Sequence, residues 1–177
     1  MARVAYGDEN SSPAVRALAD RIRLERDGRM LNLYSMLLNA PPVAEGWLAL
    51  FTAIRQQCTL RGDYRELVIL RVALLNGASY EYQVHVPFAL REGVTQQQID
   101  ALQQWQSATV LTPAQRAVLA YTDSMTREIH VPKPVFDALR AHFNNREIVE
   151  LTATVGGYNL VSRFLEALAV DPEQARA

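Results

Sequence analysis

The stretch that decides the fold runs from Asp63 to Gly93, DYRELVILRVALLNGASYEYQVHVPFALREG. It reads as a helical hairpin, two helices joined by a tight turn at Asn76-Gly77. Glu81 and His85 are four residues apart, which puts them one turn apart on a shared helix face. Glu66 opens the other arm. Two carboxylates and an imidazole suffice for proton transfer near neutral pH, because histidine titrates there and a neighbouring carboxylate tunes it. A plainer reading stays open at this point. Asp63 with Glu66 also spells a capping box, and Glu81 with His85 also fits a solvated ion pair.

Working outward, the helical period dominates and strand signals are nearly absent. The pattern predicts helices at 13–26, 30–39, 42–58, 64–76, 79–92, 96–105, 113–128, 132–143 and 146–169. Start signals agree. Thr112-Pro113 with Gln115, Thr95 with Gln98, and Asn144 with Glu147 spell N-terminal boxes, and Gly93 reads as a left-handed stop. Ser79 is expected to cap the second hairpin helix. The tail from Asp171, DPEQARA, is polar and expected to fray. An internal echo also shows: SPAVRALADRI from Ser12 against TPAQRAVLAYT from Thr112, and RELVILRVAL from Arg65 against REIVELTATV from Arg146, 81 positions on. A duplication and chance similarity between helices both account for it. In ungapped register Ser162 and Glu166 stand where the first copy has Glu81 and His85, so only the first copy carries the candidate chemistry.

The chain has 177 residues, 49% of them hydrophobic, enough to bury a core as one domain over 1–177. Eighteen basic and nineteen acidic residues give a net charge of −1 with no long run of one sign. Nucleic acid is therefore not an expected partner, since a phosphate-binding face needs clustered Lys and Arg. One cysteine, Cys58, makes no internal disulfide and is expected to be half-buried and inert. The N-terminus lacks the apolar run of a signal peptide, and the most apolar stretch, 151–170, carries Arg163 and Glu166. A soluble, cytoplasmic protein without a membrane partner is the expectation.

Other candidate groups are few. His130 and His142 read as surface residues, and no H-x-x-x-H or H-E-x-x-H spacing occurs, so no metal is expected. Of Tyr80 and Tyr82 at most one faces a pocket, and Tyr82 is taken as the substrate contact. Gly156-Gly157 inside an apolar helix needs a reason: close packing, or a polar pocket wall built by Tyr158 and Asn159. Arg71, inside an apolar helix, can grip a substrate carboxylate with its planar fork or pair across subunits.

The hairpin resembles the carboxymuconolactone decarboxylase-like family, which includes alkylhydroperoxidase D. The residues that carry the resemblance are Arg65-Glu66-Leu67, Gly77, Tyr80-Glu81-Tyr82, His85, Ala89 and Gly93. Redox members place a C-x-x-C between the glutamate and the histidine. Those positions fall on Ala78 and Glu81 here, so no dithiol is present to cycle and thiol-dependent peroxidase chemistry is not expected at this site. The resemblance implies an all-α helical bundle and a homo-oligomer, a trimer or hexamer. The decarboxylase-like branch implies a cofactor-independent lyase, or lactone isomerase or hydrolase, handling a small organic acid or lactone, as in aromatic-compound catabolism. His85 would be the general acid/base, Glu81 its orienting partner and Glu66 a second proton carrier. A non-catalytic oligomeric binding protein is the alternative. The apolar MLNLYSMLLNA segment, with Trp47 and Phe51, predicts that residues 30–58 contribute to a subunit contact.

Overall fold

The computed structural model describes residues 1–173 and is all-α, with nine α-helices and no strand among the described residues. Of the predicted tail, Gln174–Ala177 lie outside the described residues. Asp171 does not fray: its carboxylate accepts hydrogen bonds from the Ala2 amide at 3.1 Å and the Tyr6 hydroxyl at 3.0 Å.

The chain divides into two compact units, Met1–Gln57 with the segment from Phe164, and Cys58–Arg163. The first holds α1 (Pro13–Glu25), α2 (Asn32–Leu37) and α3 (Pro41–Thr52), which continues as a π-helical turn over Ala53–Gln57. Every residue of α2 is buried within the chain, and so are Trp47 and Phe51. Trp47 stacks on Phe51 and Phe164, at centroid distances of 5.1 and 5.2 Å. The apolar 30–38 segment therefore needs no partner subunit to cover it, and the sequence argument for an interface there loses its premise.

The second unit holds α4 (Gly62–Asn76), α5 (Ser79–Arg91), α6 (Gln96–Ala101) running into a 3₁₀ turn (Leu102–Ser107), α7 (Pro113–Arg127), α8 (Lys133–Arg140) and α9 (Asn145–Leu168) as far as Arg163. Helix α4 is its axis and packs on α5 and α7. Residues 65–73 are buried without a break. Val68, Ile69 and Val72 each give up less than ~0.7 kcal/mol of helix propensity. Burying each gains ~1.5–3 kcal/mol, so packing and not propensity makes this helix. Leu67 and Leu70 anchor a cluster with Ala89, Val94, Ile99, Leu102, Trp105, Leu111 and Leu119.

Both arms of the hairpin close in the same way. At the end of α4 the Ala78 amide donates to the Ala73 carbonyl at 2.9 Å, over Gly77 with φ +67. At the end of α5 the Val94 amide donates to the Ala89 carbonyl at 3.0 Å, over Gly93 with φ +93. These are Schellman closures, and both need a left-handed residue. A Cβ at Gly77 would meet nothing within 4 Å, so only the backbone conformation demands glycine there. Gly77→Ala should therefore cost about 1 kcal/mol with packing untouched. Chemical denaturation checks this; an unchanged midpoint would show that the turn tolerates a side chain.

Boxes at Thr95, Thr112 and Asn144 form as expected. The alternative box at Asp63 and the expected cap at Ser79 do not. α4 starts at Gly62 after Arg61, whose guanidinium takes the Asp63 carboxylate at 3.0 and 2.9 Å, and Asp63 does not cap. The Schellman turn makes Ala78 the N-cap of α5, so Ser79 is already helical.

Candidate active site

Glu66 lies eleven residues before Gly77 and His85 eight after it. At 1.5 Å per residue these are ~16 and ~12 Å from the turn, so antiparallel arms bring them nearly level. The structure joins them. His85 Nδ1 lies 2.7 Å from Glu66 Oε2, and His85 Nε2 lies 3.1 Å from Glu81 Oε1. All three are deeply buried, at 2% (Glu66), 4% (Glu81) and 2% (His85) exposure. Glu66 thus serves the imidazole and not the first turn of its own helix.

Burial pushes the His85 pKa down, and it is the largest single influence. The charges of Glu66 and Glu81, with their hydrogen bonds to the ring, outweigh it and raise the pKa from 6.5 to about 9. At neutral pH the ring is an imidazolium donating from both nitrogens to flanking carboxylates. Arg65, which sequence reasoning did not single out for the site, adds positive charge: its Nε is 3.5 Å from Glu66 Oε1, and its Nη2 is 3.3 Å from Glu92 Oε1. Its sequence signals were adjacency to Glu66 and its place in the Arg65-Glu66-Leu67 run that carries the family resemblance. Phe88 and Tyr158 flank the ring at 5.5 and 5.3 Å, Tyr158 edge-on. Phe88 was legible as the i+3 neighbour of His85. Each ion of this buried cluster keeps a partner, so removing any one of them would strand a buried charge.

The four expected substrate contacts separate. Tyr158 reaches His85. Tyr82 instead lines a recess of about 200 Å³ with Ala73, Leu74, Gly77, Ala78, Ser79 and Gln83, on the side of the hydrophobic cluster. Asn159 accepts from Asn76 Nδ2 at 3.1 Å and donates to Thr126 Oγ1 at 2.9 Å, tying α9 to α4 and α7. Arg71 is engaged within the chain. Its Nε and Nη2 donate to the Asp123 carboxylate at 2.6 and 2.8 Å, and its Nη1 donates to the Leu102 carbonyl at 2.8 Å. The Trp105 indole N–H reaches the same carboxylate at 3.2 Å. With the fork occupied, neither a substrate carboxylate nor a partner subunit is its counterion. Gly156 faces open space, so close packing inside the chain is not its reason.

His130 and His142 are exposed. Cys58 is half-buried, and burial followed by the Glu150 charge raises its thiol pKa, which disfavours the reactive thiolate. Among the described residues no group of three or more His, Cys, Asp or Glu is arranged to hold a metal ion, and no helix is long and apolar enough to cross a membrane.

This fold is that of a known class. Residues 41–124 match the model of the Carboxymuconolactone decarboxylase family, and the solved structures the chain resembles support that assignment. A protein of unknown function from Agrobacterium tumefaciens is 27% identical, with a TM-score of 0.73 over 77% of this chain and 94% of its own. An uncharacterized peroxidase-related protein from Ralstonia eutropha JMP134, with an alkylhydroperoxidase AhpD core, gives a TM-score of 0.84 at 20% identity, over 98% of this chain and 93% of its own. The debrominase Bmp8, in complex with a tribromopyrrole, gives 0.81 at 19% identity, over 97% and 92%. The last two likenesses concern the fold.

Proposed function

We propose that this protein is a cofactor-independent acid–base enzyme, a carboxymuconolactone decarboxylase-like lyase acting on a small organic acid or lactone. One observation carries the proposal: an imidazole ring buried between two carboxylates, its Nδ1 2.7 Å from Glu66 and its Nε2 3.1 Å from Glu81. Such a relay gives up one proton and regains one without net change. In a decarboxylation the bond to the carboxylate carbon breaks, carbon dioxide leaves, and the electron pair stays as an enolate. His85 stabilises that charge and then supplies the proton to carbon, with Glu66 holding the ring and Glu81 able to move a proton between substrate and Nε2. Glu66 is the better orienting group, because its contact is shorter and Arg65 backs it. Bmp8 holds a small planar ring, which supports a small cyclic ligand here. A dithiol peroxidase cycle does not fit, since Ala78 and Glu81 occupy the positions it needs.

One feature favours a second reading, a non-catalytic oligomeric binding protein: both ring nitrogens are already occupied, as in a purely structural polar core. Turnover separates the two. A panel of small carboxylated γ-lactones and β-keto acids, followed by carbon dioxide release and ultraviolet absorbance, should yield a substrate whose rate falls ~10²–10⁴-fold in Glu81→Gln. Absence of turnover across the panel, or an undiminished rate in both Glu81→Gln and His85→Gln, would overturn the catalytic reading.

A further inference from the structure

A tyrosine packed on a core ordinarily finds a partner for its hydroxyl. Three in this chain do: Tyr6 donates to the Asp171 carboxylate at 3.0 Å, Tyr34 accepts from Arg26 Nη2 at 2.6 Å, and Tyr121 pairs with Thr152 at 2.8 Å. Tyr82 differs. Its ring is half-buried against the hydrophobic cluster, so packing fixes its place, yet its hydroxyl has no hydrogen-bond partner among the described residues. The side chains of Ser79 and Gln83 share that condition. On α5 the three stand at i, i+3 and i+4, neighbouring positions on one helix face.

All three line the recess of about 200 Å³ at the closed end of the hairpin. The rest of its wall is Ala73 and Leu74 from the last turns of α4, with Gly77 and Ala78 from the connection. An apolar floor with a few convergent polar groups is the pattern of a small-molecule site. At ~30 Å³ per water the space holds about seven waters, or one six-membered ring with a single substituent. No residue of the wall is charged. Burial, followed by the negative charge of Asp100, raises the Tyr82 pKa, so its hydroxyl is a donor at neutral pH and an anion is repelled. Glu66, Glu81 and His85 take no part in this wall.

We propose that this recess is a second binding site, for a small neutral ring bearing one hydroxyl, a molecule the size of phenol. Ala73, Leu74 and Ala78 cover the ring, and its hydroxyl exchanges hydrogen bonds with Tyr82 and with Ser79 or Gln83 at the mouth. The site goes beyond the acid–base reading and is independent of it, since the two share no residue. Its selectivity follows from its wall: the floor rewards an apolar ring, the three polar ends reward one hydroxyl, and the absence of any cation in the wall leaves a carboxylate without a counterion.

The test titrates phenol into the full chain and follows the backbone amides by NMR, with toluene and benzoate as comparison ligands. Phenol should shift the amides of Ala78, Ser79, Tyr82 and Gln83 saturably, with a Kd on the order of 1 mM, as expected of a ligand of about seven non-hydrogen atoms. Toluene lacks the hydroxyl and benzoate carries a charge, so each should bind about tenfold more weakly. Tyr82→Phe keeps the ring in its packing and should weaken phenol about fivefold. Ser79→Trp, at an exposed position, should fill the mouth and abolish the shifts. Should that variant fail to fold, Tyr82→Phe decides alone. No saturable shift, shifts confined to other segments, benzoate binding as tightly as phenol, or phenol affinity unchanged in Tyr82→Phe each overturns the proposal. Loss of phenol binding in a folded His85→Gln variant also overturns it, by assigning phenol to the acid–base cluster.

Discussion

The His85 ring should remain protonated up to about pH 9, and Glu66→Gln should lower that pKa further than Glu81→Gln, because the Glu66 contact is shorter, at 2.7 against 3.1 Å. The folded pKa lies above the ordinary value of 6.5, so protonation stabilises the fold. That stabilisation is fully present below pH 6.5 and is lost as pH rises through about 9. A shift of this size corresponds to something on the order of 3 kcal/mol. The stability advantage of the wild type over His85→Gln, followed by chemical denaturation, should therefore shrink by that order between pH 6.5 and 9.5, while the ring is titrated by NMR. A flat difference across the range would show that the imidazole is neutral between its carboxylates. The candidate chemistry would then have to begin from a base and not from an acid.

Asp123→Ala should be the most damaging single substitution outside the site. It leaves the buried Arg71 guanidinium without the carboxylate that takes two of its bonds, and it strips the Trp105 indole of its acceptor. Breaking a buried pair in this way costs about 3–5 kcal/mol. Against a typical stability of ~5–15 kcal/mol that is measurable without abolishing the fold. The double variant Arg71→Met, Asp123→Leu should recover much of the loss, since an apolar pair of similar volume replaces the ion pair at little net cost. The Leu102 carbonyl and Trp105 N–H still lose a partner each, at ~1 kcal/mol apiece. A loss under ~1 kcal/mol for Asp123→Ala would show that water reaches the guanidinium.

These two networks differ in how far the sequence reveals them. Glu81 and His85 are one turn apart, and Glu66 is linked to them through one short turn with a glycine, so local geometry alone brings the three together. Asp123 is 52 positions from Arg71, and no local period ties them; a lone arginine in an apolar helix announces a counterion without saying where it is. Asn159 misled for the same reason, its partners Asn76 and Thr126 lying 83 and 33 positions away. The helices themselves were legible, because the 3.6-residue period survives any tertiary context. Their first turns were less so. Asp63 and Ser79 have the chemistry of caps, but Arg61 competes for one and the Schellman geometry moves the other into the helix. Residues 32–38 of the apolar segment are buried as expected, yet the sequence does not distinguish burial inside the chain from burial between chains.

Helix α4, buried without a break from Arg65 to Ala73, has a consequence for how the site fails. An element covered on every side has no local opening that frees its amides; they exchange with solvent only when the unit around it opens. Glu66 is borne on that element and its partner histidine on the arm packed against it, so the carboxylate–imidazole contact should fall among the slowest-exchanging parts of its unit. Heat or denaturant should therefore not loosen the site in advance of the fold, so that loss of the site and unfolding coincide. Substitutions that merely soften loops should leave the geometry of the candidate site intact, whereas those that lower global stability should remove it in proportion to the unfolded fraction.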